Sequence, residues 1–182
     1  MILNGLVVGL HANHISVAHE NGPIENLQLL LAICGAVLFA CSAKGQGTGC
    51  KVLVTGLALL FLTMAVREAE VRPLEIPWLT AVMKGSGKKI WLGSLWLIAG
   101  LWFLRHRLPT WLAFRGWLGS RAGKILIAGA MLLVLGSVFE KSHLLKSEAM
   151  TMFVEELCEL NGQWLLLISA IWTLKMYRRS AA

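Results

Sequence analysis

Five apolar runs, at residues 26–43, 51–66, 90–104, 125–139 and 162–176, leave this chain few ways to fold. A soluble domain of 182 residues has too little interior to bury them all. The AVILMFWYC set makes up 57% of the chain, against about 45–50% in a soluble domain even with Gly counted. Charged residues fall to 15%, from the usual ~25%. Lipid supplies the apolar surroundings that the chain itself cannot. The runs alternate with breaks rich in Gly or containing Pro, which argues against helices buried in a soluble core.

These features predict an all-α integral membrane bundle, a single membrane domain over 1–182 with five transmembrane helices at 26–43, 51–67, 90–104, 125–140 and 160–176. Every acidic residue is Glu and none is Asp. Asp competes for the helical backbone where Glu does not, so the bias suits an all-helical chain. Residues 1–25 form an external N-terminal segment. Its first ten residues are apolar but too short to span, and they lack a positive leader and a small-residue cleavage pattern. They are expected to be retained at the interface, with residues 1–18 offering a partial sixth membrane segment.

Charge gives the orientation. With five alternating crossings, one face receives the loop 44–51, the segment 105–124 and the C-terminal tail. That face holds Lys44, Lys51, Arg105, Arg107, Arg115, Arg121, Lys124, Lys175, Arg178 and Arg179, and no acidic residue. The opposite face receives all ten glutamates and the other seven basic residues. Lys and Arg in short loops prefer the cytoplasm, so the expected topology is N-terminus out and C-terminus in, in the cell inner (plasma) membrane. The tryptophans agree: Trp91 and Trp102 bracket the third run, and Trp164 and Trp172 lie towards the ends of the fifth. In the cytoplasmic interfacial loop 105–124, Trp111, Phe114, Trp117 and Leu118 recur at helical spacing with Arg115 opposed. That pattern suits a short amphipathic helix on anionic lipid headgroups, or a plain structured loop.

Several other functions find no support. The net charge of +7 is not clustered as a nucleic-acid footprint requires. Cys34, Cys41, Cys50 and Cys158 show neither a CxxC pair nor metal-finger spacing, so redox work is not expected. The Gly-rich turn 45–51 lacks phosphate-loop spacing. Glu140, His143 and Ser147 recur at i, i+3, i+7, but nothing supplies an oxyanion hole.

The candidate site lies where spans begin and end on the outer face. Glu20 and Glu25 precede the first span, Arg67, Glu68 and Glu70 follow the second, Glu140 and His143 follow the fourth, and Glu155, Glu156 and Glu159 lead into the fifth. Because the apolar runs are short, helices of ~20 residues carry these groups into the headgroup layer, where ionisable groups are costly unless paired or functional. Glu140 with His143, and Glu156 with Glu159, are i, i+3 pairs that each share one helix face. An E-x-x-H pair with carboxylates from neighbouring helices is the donor set of di-iron and di-manganese bundles. Glu25, Glu68, Glu140, His143, Glu156 and Glu159 are therefore candidate ligands for Fe, Mn or another divalent metal. The competing reading is a set of solvated helix ends partnered by Arg67, Arg72, Lys141 and Lys146. Arg67 adjoins the last apolar residue of its run, and either an ion pair with Glu155 or Glu159 or a lipid phosphate would satisfy it.

Three functions follow as expectations. One is an accessory or partner-binding membrane protein with a polar outer rim. The second is a metal-dependent enzyme acting on lipid or another membrane-borne substrate. The third is a small transporter or channel component, against which stand span centres nearly free of ionisable groups.

Overall fold

The computed structural model of the chain describes residues 23–69, 85–142 and 148–181. Among them are six helices and no strand: α1 (Pro23–Ser42), α2 (Thr48–Glu68), α3 (Gly85–Arg105), α4 (Arg107–Gly119), α5 (Arg121–Ser142) and α6 (Glu148–Ala181). Residues 1–22, where a partial sixth membrane segment was expected, and residues 70–84 and 143–147 lie outside the described residues.

Local chemistry sets the joints. Pro23 opens α1, where its fixed φ suits a first helical turn. The chain turns from α1 towards α2 through Gly45, whose φ of 74° is open to glycine at little cost. A single residue, His106, separates α3 from α4. At the α4–α5 corner the Ser120 hydroxyl accepts from the Gly123 amide at 3.3 Å, which satisfies one of the free donors at the start of α5.

Three stretches are long and apolar enough to cross a membrane: Thr48–Arg67, Arg121–Phe139 and Phe153–Arg179. Asn26–Ser42 is apolar but shorter. Helices α2, α3, α5 and α6 overrun the clean hydrocarbon runs at both ends, and α1 at its start, because backbone hydrogen bonding does not stop where apolar side chains stop. Thus α2 begins at Thr48 and α3 at Gly85, drawing Lys51, Lys88 and Lys89 into helix. The 34 residues of α6 make a rod of roughly 51 Å at 1.5 Å per residue. Its first turns, which carry Glu148, Glu155, Glu156 and Glu159, exceed what a ~30 Å hydrocarbon layer requires.

α5 and α6 make the most extensive contact, followed by α1 with α2 and α1 with α6. A Cβ added at Gly129 would lie 2.8 Å from the Gly162 carbonyl, and one at Gly162 would lie 2.9 Å from the Gly129 carbonyl. The α5 and α6 backbones touch there, and only glycine fits. Between α1 and α2 an added Cβ at Gly35 would fall within the Phe61 ring. Phe61 in turn packs on Phe39 with ring centroids 5.3 Å apart. The main core gathers Phe39, Val54, Phe61, Trp117, Leu166 and Ala170, while Ile24, Leu31, Leu160 and Leu167 form a second cluster between α1 and α6.

The two ends of the bundle differ in charge. At one end the Gln46 amide donates to the Tyr177 carbonyl at 3.3 Å, an added Cβ at Gly49 would strike the Pro109 carbonyl, and Trp117 Nε1 donates to Thr173 Oγ1 at 3.0 Å. Those contacts bring the loop before α2, helix α4 and the end of α6 together, and with them the ten basic residues of 44–51, 105–124 and 175–179. Arg121 and Lys175 each stand 5.8 Å from the Trp172 ring, within cation–π range. The start of α1, the end of α2 and the first half of α6 meet at the other end.

Candidate functional site at the acidic end of the bundle

Helix α6 presents Glu155, Glu156 and Glu159, all half-buried, to its neighbours at this second end. Gln28 of α1 is 1% exposed and donates from Nε2 to Glu156 Oε2 at 3.0 Å. Arg67, near the end of α2, donates from Nη2 to Glu159 Oε1 at 3.4 Å. The two partners differ in setting: the Glu159 side chain is 14% exposed and that of Arg67 is 66% exposed. Lys88 of α3 adds a bond from Nζ to the Val66 carbonyl at 2.7 Å. Gly136 of α5 completes the approach, since a Cβ there would lie 3.3 Å from Glu159 Cγ and 3.4 Å from Cys158 Cβ. Side chains or close backbone from α1, α2 and α5 therefore meet within two turns of α6, and α3 joins through its bond to α2.

Of the residues singled out from the sequence, Arg67, Glu156 and Glu159 are brought to this end with their contacts in view. Glu25 lies in the first turn of α1, Glu68 closes α2 and Glu140 lies near the end of α5. Their backbones converge on the same end, while their side chains lie outside the described residues, as does all of His143. Among the described residues no group of three or more His, Cys or Glu side chains is close enough to hold a metal ion. What the described geometry does instead is hold helices together: each carboxylate with a described partner ties α6 to a different helix.

Sequence reasoning passed over the neutral amides. Gln28 and Gln163 are each about 2% exposed or less, and both interrupt an apolar run. That interruption is the signal in the sequence that marks them. The two differ sharply: Gln28 is bonded to Glu156, whereas Gln163 Oε1 has no partner among the described residues. A further buried chain runs through the opposite half of the bundle. Thr173 Oγ1 accepts from Trp117 and donates to the Ser169 carbonyl at 2.8 Å, and Ser169 Oγ donates to the Ala122 carbonyl at 2.8 Å. Such bonds matter in apolar surroundings because an unpaired alternative is costly.

The fold and this end together define a class: an all-helical apolar bundle with a polar clamp at one end and a basic collar at the other. No family model, curated protein or solved structure matches the chain.

Proposed function

We propose that this chain is a five-span integral protein of a prokaryotic plasma membrane, N-terminus outside and C-terminus in the cytoplasm, acting as an accessory or partner-binding membrane protein. The observation that carries the reading is the pair of interhelical contacts Gln28–Glu156 and Arg67–Glu159. They put two of the outer carboxylates to work as clamps between helices rather than leaving them as ligands. The exterior supports a lipid setting: Leu30, Val37, Ile98, Met131 and Val134 are all more than 45% exposed, and soluble monomers rarely show so continuous an apolar surface. The charge separation between the two ends supports the orientation.

Reporter fusions test the topology. Alkaline phosphatase should be active when fused within 70–84 or 143–147, and a fluorescent protein should fold at the C-terminus and within 105–124. The reverse pattern would overturn the orientation. For the activity, a photo-reactive group placed in the outer loop 70–84 should capture a second membrane protein, and one at lipid-facing Met131 should not. Capture from Met131 alone would move the partner surface to the flank of the bundle.

A second reading, a metal-dependent enzyme acting on lipid or another membrane-borne substrate, is favoured by the convergence of the helix ends that carry Glu25, Glu68, Glu140, Glu156 and Glu159. Elemental analysis of purified protein decides between the two. Stoichiometric Fe or Mn that disappears in Glu140→Ala with His143→Ala would establish the enzyme reading, and well-folded wild type without metal would end it. A transporter or channel component finds least support, because Glu, Lys, Arg and His are missing from the centres of all five runs.

A further inference from the structure

At the basic end, α2, α3 and α4 enclose a cleft of about 480 Å³, within the ~300–1,000 Å³ range of small-molecule sites. Its walls include Trp96, Trp102, Phe103, Trp111 and Phe114, with Thr110 at the α4 side. Along α2 it runs from Val52 to Leu60, roughly 12 Å at the helical rise. The shape is that of a groove parallel to the helices, suited to a chain rather than to a compact solute.

Two observations give the groove a polar end. Thr110 is 2% exposed, and its Oγ1 has no partner among the described residues. A buried hydroxyl left in this state is costly, and an occupant with an oxygen at this depth would relieve it. The second observation is charge. On α4 the cleft-lining Thr110, Trp111 and Phe114 are bracketed by Arg107 and Arg115. Arg107, Trp111 and Arg115 follow one another at i, i+4, i+8, and Arg107 stands seven residues before Phe114, so Arg115 flanks the cleft-lining face beside Trp111, where the sequence pattern suggested it stood opposite, and Arg107 lies on that face. Both are exposed, and Arg105 joins them at the α3–α4 corner. No acidic residue occurs anywhere between Glu75 and Glu140. An apolar groove beneath unopposed guanidinium groups is complementary to an anionic amphiphile, since Arg holds phosphate oxygens through paired hydrogen bonds.

We propose that this cleft binds one anionic phospholipid of the cytoplasmic leaflet, an acyl chain lying between α2, α3 and α4 and the phosphate held by Arg107 and Arg115. The leaflet assignment rests on the orientation proposed above; the cleft and its charges do not. The site differs from general attraction of a basic surface to lipid in being saturable by a single molecule and dependent on the walls of the groove.

Gly56 and Gly100 provide a way to fill it. Both line the cleft, and an added Cβ at either meets nothing within 4 Å, so larger side chains enter empty space without straining the bundle. Native mass spectrometry of the full chain in detergent, titrated with phosphatidylglycerol or phosphatidylcholine of identical acyl chains, reads occupancy directly. Wild type should retain one phosphatidylglycerol about thirtyfold more tightly than phosphatidylcholine, as expected from about 1 kcal/mol for each of two arginines. Arg107→Ala with Arg115→Ala should abolish that preference while weak binding of both lipids persists. Gly56→Leu with Gly100→Leu should lose the bound lipid of either kind at an unchanged elution volume. Trp111→Ala, which removes a wall instead, should release it too. Equal retention of the two lipids by wild type, or undiminished phosphatidylglycerol binding in the filled variant, would overturn the proposal. So would a wild-type dimer that the filled variant converts to monomer, which would make a second copy the occupant. Micelles have no sides, so reporter fusions that reversed the topology would remove the leaflet assignment and the proposed orientation, while the lipid titration judges the cleft independently.

Discussion

Helices α3 and α6 are both long, and each carries an apolar stretch, yet they are held in opposite ways. The α6 helix meets α5 backbone to backbone at Gly129 and Gly162 and is stitched to α1, α2, α4 and the start of α5 by Gln28–Glu156, Arg67–Glu159, Trp117–Thr173 and Ser169–Ala122. The α3 helix leans mainly on α2 and α4. Ile90, Leu97, Ile98, Leu101 and Leu104 on it are all more than half exposed. Side-chain bonds from Lys88 to the Val66 carbonyl and from Trp96 Nε1 to Thr63 Oγ1 at 3.0 Å join it to α2. Hydrophobicity cannot account for the difference, because among lipid chains an apolar surface gains little by facing another helix. Small residues that let backbones touch, and polar groups that find partners, decide which helices associate. The cleft between α2, α3 and α4, and a second one between α1, α2 and α3, are what remains where neither device is present.

Swapping glycine contacts is the strongest way to break this comparison. Gly129→Leu must push a side chain into the Gly162 carbonyl and should cost ~3 kcal/mol, the upper end for overpacking. Gly93→Leu on α3, where an added Cβ meets nothing within 4 Å, should stay within about 0.5 kcal/mol of wild type, as surface changes do. Denaturation by sodium dodecyl sulfate in mixed micelles measures both. Equal losses would mean that α3 is packed as tightly as α6 and that the distinction is empty.

The two buried glutamines sharpen it at the next level. Gln28→Leu removes the Nε2 donor from Glu156 and should cost ~1.5 kcal/mol, between the values for a charged hydrogen bond and for interhelical bonds in lipid. Gln163→Leu removes an acceptor without a described partner and should be neutral or stabilising by up to ~1 kcal/mol. If the Gln163 variant lost more than the Gln28 variant, the assignment of which amide is bonded would be wrong.

A smaller effect is expected for α3 itself. Thr63→Val with Lys88→Met should change global stability by no more than ~0.6 kcal/mol, the mean for an interhelical bond in lipid. The same variant should raise amide hydrogen exchange along 85–105 and leave 148–181 unchanged. Protection of α3 that survived the double substitution would show that side-chain bonds are not what holds it.

These contrasts also mark how far the sequence could be read. The helices were legible because their runs are long and apolar. The charge asymmetry was legible because the ten basic residues of 44–51, 105–124 and 175–179 have no acidic neighbours. Arg67 and Glu159 could each be named from position beside an apolar run. An ion pair of Arg67 with Glu155 or Glu159 was expected as well; which of the two is the partner could not be read, since that depends on how α2 and α6 rotate about their axes, which close contacts such as the one at Gly162 set. Nor could the cleft be foreseen: Trp102 looked like a member of an interfacial belt and Trp111 like part of an amphipathic helix, and only the loose seating of α3 turns them into walls. Gln28 is hard to read for a different reason: a single neutral amide in an apolar run carries neither charge nor spacing to show what it bonds.

The smallest effect belongs to the pair that was easiest to suspect. Arg67 is 66% exposed at its side chain, and exposed ion pairs contribute about 0–1 kcal/mol after screening and side-chain ordering. A double-mutant cycle with Arg67→Met and Glu159→Gln should therefore give a coupling energy of ~0.5 kcal/mol, obtained as the departure of the double variant from the sum of the singles. The coupling should shrink further between 0.01 M and 1 M salt, as the screening length falls from about 30 Å to about 3 Å. A coupling above ~1.5 kcal/mol that ignored salt would mean the pair sits away from water in the folded membrane protein, covered by lipid or by a partner chain. The clamp at this end would then rival the glycine contact of α5 with α6, and the ranking of forces drawn from the comparison with α3 would have to be reversed.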